Sequence, residues 1–237
     1  MVLTTPQPFG AGPGGLYDRT FDLATTIIPR PRTVVYVDGF NLYYGALKGT
    51  PYKWLDLDRF FRLLLPNDHI QCVRYFTAMV SGPTRPNQET YLQALATTRL
   101  VQRVLGNFKR KRVKCTHSLC SYPGNRFFET LEEKHTDVNI AVYMLDDAYQ
   151  DRCEQIVLVS GDSDLVPAVK MIRSRFPTKR VSVYVPAQPG TTRRFAAELR
   201  SVADKHHDLP LNLLRHAQFP NPLPDGRGGF LHKPASW

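Results

Sequence analysis

Three stretches of the chain hold acidic residues in patterns that could do chemistry. Asp38-Gly39-Phe40-Asn41 follows the β-branched run Thr33–Val37, and Gly161-Asp162-Ser163-Asp164 follows the apolar run Ile156–Ser160. Glu132-Glu133-Lys134-His135-Thr136-Asp137 precedes a segment with apolar residues at 138, 141, 142, 145 and 149. Open α/β sheets bind their ligands at the carboxyl ends of the strands, so aspartates in such turns face solvent, a substrate or a metal. If the strands are neighbours the carboxylates converge, and crowded carboxylates repel unless a cation sits among them. Magnesium suits that setting: it takes oxygen ligands, keeps several waters, and is held by one or two carboxylates plus substrate phosphates. For a single turn, ordinary Asp-Gly turn chemistry explains the residues as well. Two such turns and a third acidic stretch favour the metal.

The elements that must hold these groups alternate in type. Strand-like runs occur at Thr33–Val37, His69–Val80, Phe108–Cys115, Ile156–Ser160 and Arg180–Val185. Helical spacing appears over Asp38–Leu47, Asp56–Leu65, Asn87–Leu105, Val138–Tyr149, Ser163–Arg175 and Thr191–Asp204. This alternation predicts an α/β fold, one domain with a mostly parallel sheet flanked by helices on both faces. Crossover connections then put the strand ends on one rim. That rim carries Asp38, Asn41, Asp162 and Asp164, and Asp137 joins them if its helix begins there. Thr136 reads as the cap of that helix, and the helix dipole alone would favour Asp137 in its first turn. Residues 1–30 read as a flexible arm, 31–210 as the domain, and the Pro/Gly-rich 211–237 as an extended tail.

Lys plus Arg number 31 against 21 Asp plus Glu, and the resulting +10 favours a polyanionic partner. Within FKRKRVKC at 108–115, Lys109, Arg110, Lys111 and Arg112 read either as charge protecting an edge strand or as a phosphate-contacting strip. Lys134, Arg193 and Arg194 are further candidates for phosphate contact. Tyr43 and Tyr44 stand where aromatic rings can stack on bases or pack in the core. Ser160 and Ser163 read as turn and capping residues. Cys72 and Cys153 lie in apolar surroundings as buried thiols. Cys115, His117 and Cys120 could approach one zinc, although no second pair follows at zinc-finger spacing. No apolar run reaches the roughly 18 residues of a membrane span and no secretory leader is visible. The expectation is a soluble cytoplasmic protein.

VDGFNLYY at 37–44, EEKHTDVNIAVYML at 132–145 and LVSGDSDLVPAV at 158–169 together resemble the NYN domain, a PIN-like family related to the bacterial LabA/DUF88 proteins. The resemblance covers about residues 33–210. It implies a Rossmann-like sheet with an acidic metal site, and Mg²⁺- or Mn²⁺-dependent ribonuclease activity, with an endonuclease the expected form. Matched by position, Asp38 and Asn41 fall in the first motif, Asp137 in the second, and Asp162 and Asp164 in the third. The four aspartates are the implied metal ligands. Two departures stand out: Tyr143 occupies a position where many relatives have a further aspartate, and His135 one where glycine is common. The alternative is an RNA-binding module with weak or no catalysis. RNA is the implied partner in both cases, and a homodimer is compatible with either.

Overall fold

In a computed structural model, the described residues are 29–117, 120–124, 127–188 and 196–237. The expected arm up to residue 28, together with Arg193 and Arg194, lies outside them. The sheet is built from β1 (Arg32–Asp38), β2 (His69–Ala78), β3 (Val101–Lys114), β4 (Phe127–Lys134), β5 (Gln155–Val159), β6 (Arg180–Val185) and β7 (Lys205–Asp208). The helices are α1 (Gly39–Leu42), α2 (Leu57–Leu64), α3 (Arg85–Ala96), α4 (Thr136–Tyr149), α5 (Val166–Arg175) and α6 (Ala197–Val202), and α1 runs on into a π-helical turn over Tyr43–Leu47.

Strand order is β4-β3-β2-β1-β5-β6-β7. All neighbours are parallel except the antiparallel β3–β4 pair. The chain winds outward from β1 through β2 and β3, then restarts on the other side with β5. Strand order therefore reverses between β1 and β5, and the crevice outside such a reversal is where open sheets bind ligands.

Alternation along each strand sorts the core into two layers. Val35, Val37, Val157 and Val159 pack against Leu42, Phe60, Phe61 and Leu95 of α1, α2 and α3. Val34, Tyr36, Ile156 and Leu158 face Ile140, Met144, Val169 and Ile172 of α4 and α5. Both faces are covered, as the alternation of elements predicts. Among the described residues no helix is long and apolar enough to cross a membrane.

Three local expectations differ from the structure. The helix expected over Asn87–Leu105 stops at Ala96, and Val101 already pairs with Val73 of β2. The strand expected at Phe108–Cys115 therefore begins at Val101, and its partner β4 has no counterpart among the expected strands. The segment 211–237, expected as an extended tail, has little regular structure yet packs on the domain. Leu214, Ala217, Phe219 and Leu223 are buried in the first layer, and Trp54 donates its indole N–H to the Pro220 carbonyl. Its prolines and glycines shape turns, including a short β8 (Leu223–Pro224) and β9 (Phe230–Leu231) pair.

Candidate metal centre

Asp38 ends β1 and caps α1. Its Oδ1 accepts from the backbone N–H of Phe40 at 3.1 Å and Asn41 at 3.0 Å. Its Oδ2 accepts from Asn41 Nδ2 at 2.6 Å and Ser160 Oγ at 3.1 Å. Gly39 has to be glycine for this turn to close. A Cβ there would lie 2.6 Å from the Phe76 carbonyl and 2.8 Å from the Tyr75 ring.

Across the strand reversal, Asn41 Oδ1 accepts from the Gly161 N–H at 3.1 Å, and Ser160 Oγ accepts from the Asp162 N–H at 3.1 Å. Asn41 and Ser160 thus stitch the β1 turn to the β5 turn. For Ser160, expected only as a turn residue, this is a larger part in the site. Asn41 has both ends of its amide engaged, which makes it a positioning residue.

Asp137 arrives from the opposite layer. β4 ends at Lys134, and His135 turns the chain with φ of 80° into α4. Gly106 of β3 lets that corner approach, since a Cβ there would meet the Lys134 carbonyl and Thr136 Oγ1 at 2.9 Å. The cap position is His135 rather than Thr136, and no side chain caps the helix. The Thr136 hydroxyl instead donates to Glu133 Oε1.

Asp38, Asp137 and Asp162 each bring a carboxylate oxygen to within 4.8 Å of the others. Asp164 stands outside this group, exposed, with its N–H donating to Asp162 Oδ1 at 2.9 Å. Burial pushes Asp38 above its ordinary value, against the hydrogen bonds of Asn41 and Ser160 and with help from the charge of Asp162. Asp137 is pushed up to about 6 by burial and then by the charges of Asp162, Asp38 and Asp164. Glu133, to which the sequence pattern assigns no role, is pushed up to about 7, by burial first and then by Asp38 and Asp137. Its signal in the sequence is its place four residues before Asp137, at the end of a strand that carries no strand-like pattern of its own.

Among the described residues, none of the side-chain ion pairs engages Asp38, Asp137 or Asp162. Three converging carboxylates that no described ion pair neutralises are a fit for a divalent cation. Asp38, only 3% exposed, has its lone pairs largely used and supplies fixed charge, while Asp137 and Asp162 offer the more open oxygens. One saturated and two open carboxylates match a hard cation that keeps most of its waters.

Tyr143 does not enter the cluster. Its ring covers the Arg74 guanidinium at 4.8 Å and packs edge-on against Phe76 at 5.7 Å. Cys115, His117 and Cys120 do not converge as ligands, and all four cysteines are free thiols. Burial pushes the thiols of Cys72 and Cys153 up to about 11, as expected for inert core residues.

The basic strip stands on the same rim. Asp38 of β1 is level with Phe76, Phe76 with Val104, and Ala78 with Gly106, where β2 ends. Residues 107–114 therefore run past the carboxyl edge of the sheet, paired only with β4. Lys109, Arg110, Lys111 and Arg112 are exposed on this hairpin, and Lys134 lies at its base. Arg110 faces Glu129 at 3.6 Å, and Arg112 lies over the Phe127 ring at 4.7 Å. At the base, Phe108 meets Phe40 of α1 edge to face at 5.8 Å, which ties the hairpin to the Asp38 turn.

The chain is 30% identical to 6-hydroxy-3-succinoylpyridine 3-monooxygenase HspA of Pseudomonas putida, over 87% of its own length and 75% of the relative's. It is 26% identical to the Low amplitude and bright protein LabA of Synechococcus elongatus, over 75% and 83% of the two chains. Among solved structures, a Vibrio parahaemolyticus protein of unknown function matches at 18% identity with a TM-score of 0.49, over 77% of this chain and 94% of that one. The sequence pattern of the NYN domain matches residues 32–212, and the chain belongs to the NYN domain family.

Proposed function

We propose that the protein is a Mg²⁺- or Mn²⁺-dependent ribonuclease, an endonuclease that hydrolyses RNA phosphodiester bonds at the rim between β1 and β5. NYN membership supports a nuclease-related function. The observation that carries the finer reading is the convergence of Asp38, Asp137 and Asp162, which none of the described ion pairs neutralises. A divalent ion there would supply an activated water and offset charge on the attacked phosphate. Asp137 and Asp162 would hold it, and Asp38 would fix the local charge. Asn41 and Ser160 keep the two turns in register, so the carboxylates need no rearrangement to act together. Asp164 adds negative charge at the outer edge. The hairpin cations would draw the strand toward the rim.

The test is cleavage of labelled RNA with Mn²⁺, paired with calorimetric Mn²⁺ titration. Asp162→Asn is expected to lose at least about 100-fold in rate, roughly 2.7 kcal/mol of transition-state stabilisation, together with most of its Mn²⁺ affinity. Equal cleavage and equal Mn²⁺ binding by both proteins would remove the reading. One observation favours a second reading, a module that binds RNA without cutting it: Tyr143 caps Arg74 at a position where the family resemblance expects an acid. Its signature is a gel shift of RNA with no turnover, with or without Mn²⁺.

A further inference from the structure

We propose that the aromatic cavity beside Asp38 is a base subsite, which takes one nucleobase of the strand whose phosphate lies at the acidic centre. The identity of the strand rests on the nuclease reading above; the recognition of a planar ring rests on the cavity itself. The cavity holds about 240 Å³ and opens next to the first turn of α1, with Gly39 and Phe40 in its wall. That is smaller than the roughly 300–1,000 Å³ of sites for drug-sized ligands, and suits a single ring system. Its lining is dominated by ring faces and edges: Tyr43, Tyr44, Tyr75, Tyr91 and Trp237. Tyr43 and Tyr44 meet edge to face at 5.2 Å, and Tyr91 and Trp237 at 5.7 Å. Such walls favour a flat π-system and are tolerant of which base fills them.

Charge and continuity select a nucleotide over a neutral ring. Lys48 and Lys53 line the cavity, and the Lys48 ammonium lies 4.9 Å from the centre of the Tyr44 ring. A ring carrying an anionic arm satisfies both kinds of wall. Phe40, stacked on Tyr44 at 6.4 Å and edge-on to Phe108 at 5.8 Å, makes one aromatic ledge from the basic hairpin to the cavity. The strand's phosphates thus have cations at both ends of the ledge, and the carboxylates of Asp38, Asp137 and Asp162 lie beside it. The polar lining is held in place. Gln88 donates to the Ala78 carbonyl at 2.9 Å and accepts from Val80 at 2.8 Å, while Asn87 donates to Ser236 at 3.0 Å and keeps its carbonyl for a base edge.

The experiment is calorimetry on the full chain in EDTA, so that no metal takes part. The probes are 5′-UMP, 5′-AMP, the base-free ribose 5-phosphate, and 6-hydroxynicotinate as a free hydroxypyridine carboxylate. Both nucleotides are expected to bind at least about tenfold more tightly than ribose 5-phosphate, and Tyr44→Ala to lose about tenfold of that preference. Tyr44 is 58% exposed, so this variant keeps its core. Lys53→Ala is the second variant, expected to weaken nucleotides and ribose 5-phosphate alike. Equal affinity for nucleotides and ribose 5-phosphate overturns the proposal, as does binding of 6-hydroxynicotinate where nucleotides fail. If RNA cleavage is absent yet the base preference persists in wild type and Asp162→Asn, the base subsite stands and only the nuclease reading falls.

Discussion

His135 occupies the one corner that must be left-handed for Asp137 to reach the cluster. With φ at 80°, a residue bearing a Cβ is held in a region that costs it about 1–2 kcal/mol. Glycine removes that cost but gives back roughly 0.5–1 kcal/mol through the greater freedom of the unfolded chain. His135→Gly is therefore expected to stabilise the protein by about 0.5–1 kcal/mol in urea melts, with Mn²⁺ affinity unchanged. A loss of stability would mean that the imidazole makes contacts that outweigh the strain. At this corner the backbone, not the side chain, does the turning.

The β3–β4 hairpin is the element least legible in the sequence. Its cations are visible there, but Asn87–Leu105 reads as one helix because apolar spacing at 92, 95, 100 and 104 fits a helical face. In the fold, Val101 and Val104 fill a strand position against β2, and pairing across the sheet outweighs the local pattern. The strip lies past the sheet edge, on the rim that carries the carboxylates. If it grips RNA, replacing Lys109, Arg110, Lys111 and Arg112 with alanine lowers affinity for every sequence alike. The slope of log K against log salt should flatten by up to about 0.7 for each phosphate no longer neutralised. Fluorescence anisotropy across a salt series measures this. Melting should shift little, because residues 107–114 pair only with β4. An unchanged slope would leave the cations as edge protection.

Across the whole molecule, a buried polar network ties α4 to the sheet. Asp147, 0% exposed, accepts from Arg74 Nε and Nη2 at 2.9 Å each, from Tyr36 Oη and from Arg152 Nη1 at 2.6 Å. Burial opposes its ionisation, but the hydrogen bonds of Arg74, Tyr36 and Arg152 outweigh it and hold the carboxyl below the usual carboxylate range. A carboxyl held low in the fold binds fewer protons there than in the unfolded chain. Its contribution is complete above the unfolded value of about 3.9 and is lost as pH falls through the lowered folded value. Asp147→Asn is expected to cost about 3–5 kcal/mol at neutral pH by stranding Arg74. It should also flatten the acid limb of the stability curve below about pH 4. An unchanged acid limb would separate acid unfolding from this network.

The sequence by itself determined the architecture and the acids at the strand ends. Period-two and helical patterns are local, and β1, β5 and β6 are short, β-branched and bounded by turn residues, so an alternating α/β chain is legible without coordinates. Asp38 and Asp162 can be read as rim residues because a strand followed by Asp-Gly or Gly-Asp fixes which end of the sheet they occupy. Only the tertiary structure decided which acids meet. Asp137 joins because Gly106 admits the α4 corner, Asp164 stays at the outer edge although it lies two residues from Asp162, and Glu133 approaches from a strand whose apolar residues do not alternate. The same holds for residues 211–237, whose prolines and glycines suggest a tail. Burial of Leu214, Phe219 and Leu223 depends on the first core layer, where Phe219 meets Trp54, and no local pattern in the segment encodes that surface. Spacing along the chain reports on neighbours a few residues away, whereas a site assembled from three layers is set by packing between segments a hundred residues apart.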